Sequence, residues 1–337
     1  MADASPFPPL ADRWNDAEAA SLDEPGLLRY RSNLLGADLA VTNFGGGNTS
    51  AKVAARDPLT GEDVTVLWVK GSGGDLGSMA LDGFATLYQD RLLGLKSLYR
   101  GLEHEDEMVA LFNHCIFGLN PRAPSIDTAL HGFVPHMHVD HVHPDAVIAI
   151  AAAQDSEALT RDVFGGRLGY LPWQRPGFDL GLKLGTMAQD NPDLIGVVLG
   201  GHGLFTWADT ARECYLTTMR IIREADAWLE ANAKTPAFGG ARVAARTAED
   251  RARIASALMP AIRGRISQDS PKVGHFSDAP GVLDFVNADA LDRLAPMGTS
   301  CPDHFLRTKI RPLVLPGSED VAPVLAGLDA RIEAYRT

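Results

Sequence analysis

The chain is 337 residues long, 45% hydrophobic and 22% charged, an ordinary globular composition rather than a disordered, fibrous or disulfide-rich one. With 43 acidic against 31 basic residues the formal net charge is −12, which argues against nucleic acid or an acidic membrane as a partner. Cys115, Cys214 and Cys301 are scattered with no Cys-x-x-Cys pair, no apolar run approaches the roughly 20 residues of a membrane span, and no signal peptide is read, so a cytoplasmic protein is expected.

In chain order, Asp23-Glu24-Pro25 predicts a helix start, with the helix running to about Leu35 and stopping at Gly36. Residues 40–44 read as a strand, followed by Gly45-Gly46-Gly47 and a second strand from near Thr49. Residues 64–69 (VTVLWV) form a β-rich apolar run that ends in Lys70-Gly71-Ser72-Gly73-Gly74, and residues 103–119 are helical in composition. Residues 147–153 are short and apolar, so periodicity does not separate a strand from a buried helix there. Residues 194–199 (LIGVVL) predict a strand that leads into Gly200-Gly201-His202-Gly203.

Thr210-Ala211-Arg212-Glu213 is a capping-box pattern, and Tyr215, Met219, Ile222 and Leu229 follow at helical spacing, predicting a long amphipathic helix to about residue 231. Residues 234–240 form a plausible boundary. Beyond it a helix is expected from an N-cap at Thr247 to Pro260, then a less regular region to Leu315-Pro316-Gly317. Strands mixed with helices throughout indicate an α/β or α+β architecture. The expected organisation is a main domain over 1–238, with a helical and irregular extension over 239–337 packed on it.

Five of the ten histidines, His131, His136, His138, His141 and His143, fall within thirteen residues. Imidazole is the commonest neutral ligand for zinc and similar ions, so the cluster points to a metal. His141 and His143 are two residues apart, and on a strand both side chains face one way and can chelate one ion. His136 and His138 share that spacing and are rivals. Position just before Pro144-Asp145-Ala146 favours the later pair. His202, flanked by glycines after an apolar strand, is the candidate third ligand. Three histidines leave a coordination position open, as catalytic rather than structural zinc does.

The two glycine-rich stretches, 45–50 and 71–74, both follow predicted strands and can aim backbone N–H groups at an anion. Together, and beside a histidine cluster, they favour a phosphate ester as substrate. No Gly-x-Gly-x-x-Gly spacing is present and no tyrosine has a lysine four positions later, which argues against oxidoreductase chemistry in this chain.

Gly46-Gly47-Asn48-Thr49-Ser50, Lys70-Gly71-Ser72-Gly73, Ser125-Ile126-Asp127-Thr128-Ala129-Leu130-His131, His141-Val142-His143-Pro144-Asp145-Ala146 and Gly201-His202-Gly203 occur in that order. As an ordered set they resemble the class II aldolase/adducin family. The likeness is closest to the aldolase half of bifunctional rhamnulose-1-phosphate aldolase/short-chain dehydrogenases, and it spans about residues 25–315. The resemblance implies a three-layer α/β/α fold with a largely antiparallel central sheet, a homo-oligomer that is usually a tetramer, and relatives that continue into a dehydrogenase domain. It implies a divalent metal, zinc foremost, on His141, His143 and His202. Asn48, Ser72, Gly73 and Ser125 match positions that hold the substrate phosphate. The family's catalytic glutamate falls on Asp127, one methylene shorter. Residues 155–164 offer no tyrosine to match the family's proton donor, and Tyr170 is the nearest. In the segment 302–309, Arg307 and Lys309 are candidates to supply positive charge to the substrate.

The implied activity is that of a carbon–carbon lyase acting on a ketose 1-phosphate. Rhamnulose 1-phosphate or a similar sugar would give dihydroxyacetone phosphate and an aldehyde such as lactaldehyde, with Asp127 moving the proton. A sugar-phosphate epimerase or dehydratase on the same scaffold is the first alternative, and a non-catalytic adducin-like interaction protein the second. Intact His141, His143 and His202 argue against the latter.

Overall fold

The computed structural model describes residues 10–301, 308–318 and 320–336. The chain forms two compact units, Met1–Asn232 and Ala233–Thr337. The first is built on seven strands: β1 (Asn48–Arg56), β2 (Asp63–Lys70), β3 (Phe84–Tyr88), β4 (His138–Val142), β5 (Leu168–Leu171), β6 (Gly196–Leu199) and β7 (Gly203–Ala208). They form one sheet in the order β3-β2-β1-β4-β7-β6-β5, antiparallel throughout except for the β5–β6 pair.

The helices of this unit are α1 (Asp16–Ala19), α2 (Glu24–Gly36), α3 (Gln89–Gly94), α4 (Glu105–Leu111), α5 (Thr128–Phe133), α6 (Asp145–Ala151), α7 (Ser156–Phe164), α8 (Phe178–Asp190) and α9 (Ala211–Asn232). Helices α2, α6 and α9 pack on one face of the sheet, while α3 and α5, with α8 against α5, cover the other. This is the expected three-layer α/β/α arrangement. Leu28 and Leu35 of α2 meet Tyr215, Met219 and Ile222 of α9 in one core; Leu67 and Val69 of β2 meet Phe133 and Phe178 in another.

Local chemistry explains several boundaries. The Asp23 carboxylate accepts the Gly26 N–H at 2.9 Å and starts α2, with Pro25 in its first turn. The Thr210 hydroxyl accepts the Glu213 N–H at 3.2 Å and donates to the Glu213 carboxylate, capping α9.

Other expectations are corrected. Residues 40–44 are a turn, not a strand, because Asp38 captures the local donors: its carboxylate accepts the Ala40 N–H and its carbonyl those of Val41 and Thr42. Within 103–119 the helix is only α4, extended by a 3₁₀ turn at Phe112–Cys115. Ile116 and Phe117 then leave the helix to pair with the edge strand β3, Phe117 donating to the Thr86 carbonyl. The ambiguous run 147–153 belongs to α6, and the strand expected over 194–199 begins at Gly196.

One buried ion pair crosses the layers. Arg31 of α2 donates through Nε to Asp140 of β4 at 2.8 Å, both side chains fully buried. The remaining Arg31 nitrogens donate to His138 Nδ1 and the Ser50 carbonyl, and the Thr218 hydroxyl donates to the second Asp140 oxygen. Each nitrogen of the guanidinium and both oxygens of the carboxylate therefore have a partner, the condition under which a buried salt bridge persists.

The second unit contains α10 (Ala248–Ile266), α11 (Pro280–Val286), α12 (Leu291–Leu294), α13 (Val321–Ala326) and α14 (Leu328–Arg336). Thr247 caps α10 as expected, but Pro260 lies inside the helix rather than ending it. Proline there removes the bond its N–H would have made and crowds the carbonyl of Ser256 four residues back, yet the helix continues past it to Ile266. Cys115, Cys214 and Cys301 are free and buried. Among the described residues no helix is long and apolar enough to cross a membrane.

Candidate functional site

Strand alternation sorts the clustered histidines. On β4, His138 and Asp140 face α2, whereas Val139 and His141 face the opposite layer, level with Ser50 and Asn48 of β1. His143 follows two residues on, and His202 sits in the turn between β6 and β7. The three imidazoles are buried and converge: His141 Nε2 lies 3.2 Å from His202 Nε2 and 3.1 Å from His143 Nε2. One ligand atom from each lies within 4.8 Å of the others. His141 is held by the Leu204 carbonyl at 3.0 Å from Nδ1 and by the Phe205 ring stacked on it at 4.1 Å. A carbonyl only accepts, so Nδ1 carries the proton and Nε2 presents its lone pair to the other two rings. Burial, then the neighbouring His143 and His202, drives the His141 pKa well below 6.5.

These groups fit a cation. Nitrogens bound at about 2.0–2.1 Å to a tetrahedral ion stand roughly 3.3 Å apart, close to the spacing found here. Glycines make the convergence possible. Gly201 adopts φ +61°, and a Cβ on Gly203 would lie 2.5 Å from His143 Cδ2. The rival pair does not join the cluster. His138 Nδ1 accepts from Arg31, and its Nε2 lies 3.4 Å from Glu24. His136 pairs with Asp209 and stacks on Trp207.

Asn48 is the register partner of His141, and its amide nitrogen donates to the Asp127 carboxylate. Asp127 stands at the head of α5. Two residues earlier is Ser125, and the segment before it is bridged to the glycine loop: Gly71 pairs with Pro124, and Ser72 N donates to the Ala123 carbonyl at 3.1 Å. Gly73 and Gly74 have φ of +75° and +82° and open space around them. Asn48, Asp127, Ser125 and the Ser72–Gly73 loop are thus linked to His141 through the β1–β4 register, one side-chain bond and the Gly71–Pro124 bridge. Asn48 Oδ1, Ser125 Oγ and Thr128 Oγ1 are buried without a hydrogen-bond partner. Buried polar atoms left unmatched are costly, and a polar ligand reaching them would supply the missing bonds.

A family profile described as the class II aldolase and adducin N-terminal domain matches residues 30–229. The chain belongs to the class II aldolase and adducin family. A second profile of these class II aldolases, described as their second domain, matches residues 253–337. The "Uncharacterized oxidoreductase YuxG" of Bacillus subtilis (strain 168) is 37% identical over 328 residues, 96% of this chain, yet this chain spans only 47% of that protein. The N-terminal class II aldolase domain of a conserved protein from Thermoplasma acidophilum superposes with a TM-score of 0.59 at 29% identity, covering 65% of this chain and 99% of that one.

The remaining candidates of this class II aldolase-family chain are placed less centrally. The Tyr170 hydroxyl is 2.6 Å from Ser156 Oγ and stands over Gly200, where a Cβ would come within 2.3 Å of it. It therefore packs on a glycine two residues before His202. Lys309 is exposed in the second unit, and Arg307 lies outside the described residues. Sequence reasoning missed Arg122, packed on Gly71, and Trp173, an exposed ring against Gly201. It also missed Lys52, whose ammonium donates to the carbonyls of His131 and His136 and which burial pushes down to about 7. None of the three stands in a repeat or spacing that marks it.

Proposed function

We propose that this protein is a zinc-dependent carbon–carbon lyase that cleaves a ketose 1-phosphate of the rhamnulose 1-phosphate type into dihydroxyacetone phosphate and an aldehyde such as lactaldehyde. The observation that carries the reading is the convergence of the His141, His143 and His202 nitrogens beside the Asn48–Asp127 pair. Three nitrogen donors favour zinc over magnesium or calcium, which prefer oxygen. Bound there, a divalent ion supplies Lewis acidity toward the substrate's carbonyl oxygen and the hydroxyl next to it.

The chain's own groups account for the rest. Breaking the C3–C4 bond leaves its electron pair on the three-carbon fragment, while the C4 hydroxyl gives up a proton to become the aldehyde. The Asp127 carboxyl returns a proton to C3, with Asn48 holding one of its oxygens in place. The Ser72–Gly73 loop and Ser125 take the phosphate, fixing the substrate by groups remote from the reacting bond. Tyr170 is the candidate acid–base group on the aldehyde side, released from Ser156 when it acts. The oxidoreductase in the relative's name belongs to a protein about twice as long, and we assign that activity to the part this chain does not span.

The test is product analysis with purified protein and a set of ketose 1-phosphates. Dihydroxyacetone phosphate should appear together with an aldehyde, vanish after chelation and return with zinc. Full lyase activity in metal-free protein, or an epimerised or dehydrated product, overturns the reading.

A further inference from the structure

The chain carries a net charge of −12, so a doubly charged phosphate needs a local cation to hold it. Lys70, at the end of β2, is buried and already has a partner. The geometry points instead to Arg122. We infer that the Arg122 guanidinium grips the phosphate of the substrate at the Ser72–Gly74 loop, an inference that deepens the lyase reading and rests on it.

The arginine is held at three points. Its backbone N–H donates to Asn120 Oδ1 at 2.9 Å, and its Nε donates to the Asp82 carbonyl at 3.0 Å. Its methylenes cover Gly71, where a Cβ would fall 2.3 Å from Arg122 Cγ and 2.5 Å from Cδ. The glycine in Lys70-Gly71-Ser72-Gly73 therefore makes room for this side chain, since its φ is not in the left-handed region. The next residue, Ala123, accepts the Ser72 N–H, and Pro124 bridges Gly71, so arginine and serine loop are parts of one rigid patch. The unpartnered Ser125 Oγ lies three residues after the arginine.

Most arginines of the first unit are spent on carboxylates; Arg31, Arg100, Arg167 and Arg175 all are. Among the described residues Arg122 makes no ion pair, and its two terminal nitrogens make no hydrogen bond. A planar fork with a pinned stem and both outer nitrogens available suits bidentate contact with phosphate, and little of its freedom remains to be lost on binding.

The test compares wild type with Arg122→Gln, which keeps the stem over Gly71 and loses the charge, and with Arg122→Lys, which keeps the charge and loses the fork. KM and kcat are measured for rhamnulose 1-phosphate, and inorganic phosphate binding by calorimetry. Arg122→Gln should raise KM about 10–100-fold with little change in kcat, and weaken inorganic phosphate to a similar degree, as loss of a charged hydrogen-bond pair implies. Arg122→Lys should recover part of both. Unchanged KM and unchanged phosphate affinity in Arg122→Gln overturn the assignment while wild-type cleavage leaves the lyase reading standing. Wild type that cleaves no ketose 1-phosphate, yet loses phosphate binding in Arg122→Gln, supports the anion site and removes the lyase reading.

Discussion

Gly203→Ala tests whether the three imidazoles work as one unit. Gly203 opens β7 directly after His202, and its φ lies outside the left-handed region, so alanine meets no backbone penalty there. The obstacle is steric. The new Cβ would sit 2.5 Å from His143 Cδ2 and 2.8 Å from the Val142 carbonyl oxygen. Carbon atoms in contact keep about 3.5 Å or more, so the ring has to move by roughly 1 Å. That displacement takes His143 Nε2 off its 3.1 Å spacing from His141. Disturbing the support of a ligand typically costs about 10–100-fold in metal affinity. A misplacement of about 1 Å in a reacting constellation costs roughly 10²-fold in rate. Zinc affinity, measured by competition with a chromophoric chelator, should therefore fall by one to two orders of magnitude, and lyase turnover by about two. Circular dichroism should show the sheet intact. Gly94→Ala, where the added carbon meets open space, is the matched control and should change neither quantity. Wild-type zinc affinity in Gly203→Ala would refute the argument that His143 is held in place for an ion.

Asp127→Asn should retain bound metal while turnover falls about 10²–10⁴-fold; near-normal turnover assigns the proton transfer to another group. Asp140→Asn leaves Arg31 buried without its counter-charge and should cost about 3–5 kcal/mol, read from urea midpoints; a loss below about 1 kcal/mol contradicts the account of that pair. His131 and His138 are buried with pKa values pushed down to about 3, first by desolvation and then by the Lys52 and Arg31 charges. Unfolded, both take up a proton below about 6.5, so stability is full above that pH and falls toward 3, by up to about 1.4 kcal/mol per pH unit for each histidine. Urea midpoints between pH 7 and 4 should show that slope, and His131→Gln should flatten it; an unchanged slope would remove His131 from the explanation.

Residues that announce their own geometry were legible in the sequence. A helix cap at Asp23, a capping box at Thr210 and a His-x-His pair ahead of Pro144 each carry their physical reason within a few positions, and the structure brings His141, His143 and His202 together. What escaped was decided by partners distant in the chain. Residues 40–44 have strand composition, but one carboxylate and one carbonyl of Asp38 fold them into a turn. The run from His136 to His143 has no apolar alternation to reveal its faces, so only the pairing of β4 with β1 and β7 separates His138 from His141. Arg122 gained its place from Gly71 and Asp82, 51 and 40 residues earlier, a relation no local window contains.

The Arg31–Asp140 pair has a consequence for how the sheet assembles. Asp140 and His141 are adjacent on β4 and point to opposite layers. If β4 slipped by one residue against its neighbours, every side chain would change face. Asp140 would then enter the layer that holds Phe205 and His131, with no guanidinium opposite it, and Arg31 would lose its carboxylate. A carboxylate stranded in that environment costs several kcal/mol, far more than a displaced valine would. A one-residue slip that carries the imidazoles to the wrong side of the sheet is thus opposed by the loss of the ion pair on the other. The ion pair favours the register that builds the histidine centre, from the opposite face of the sheet.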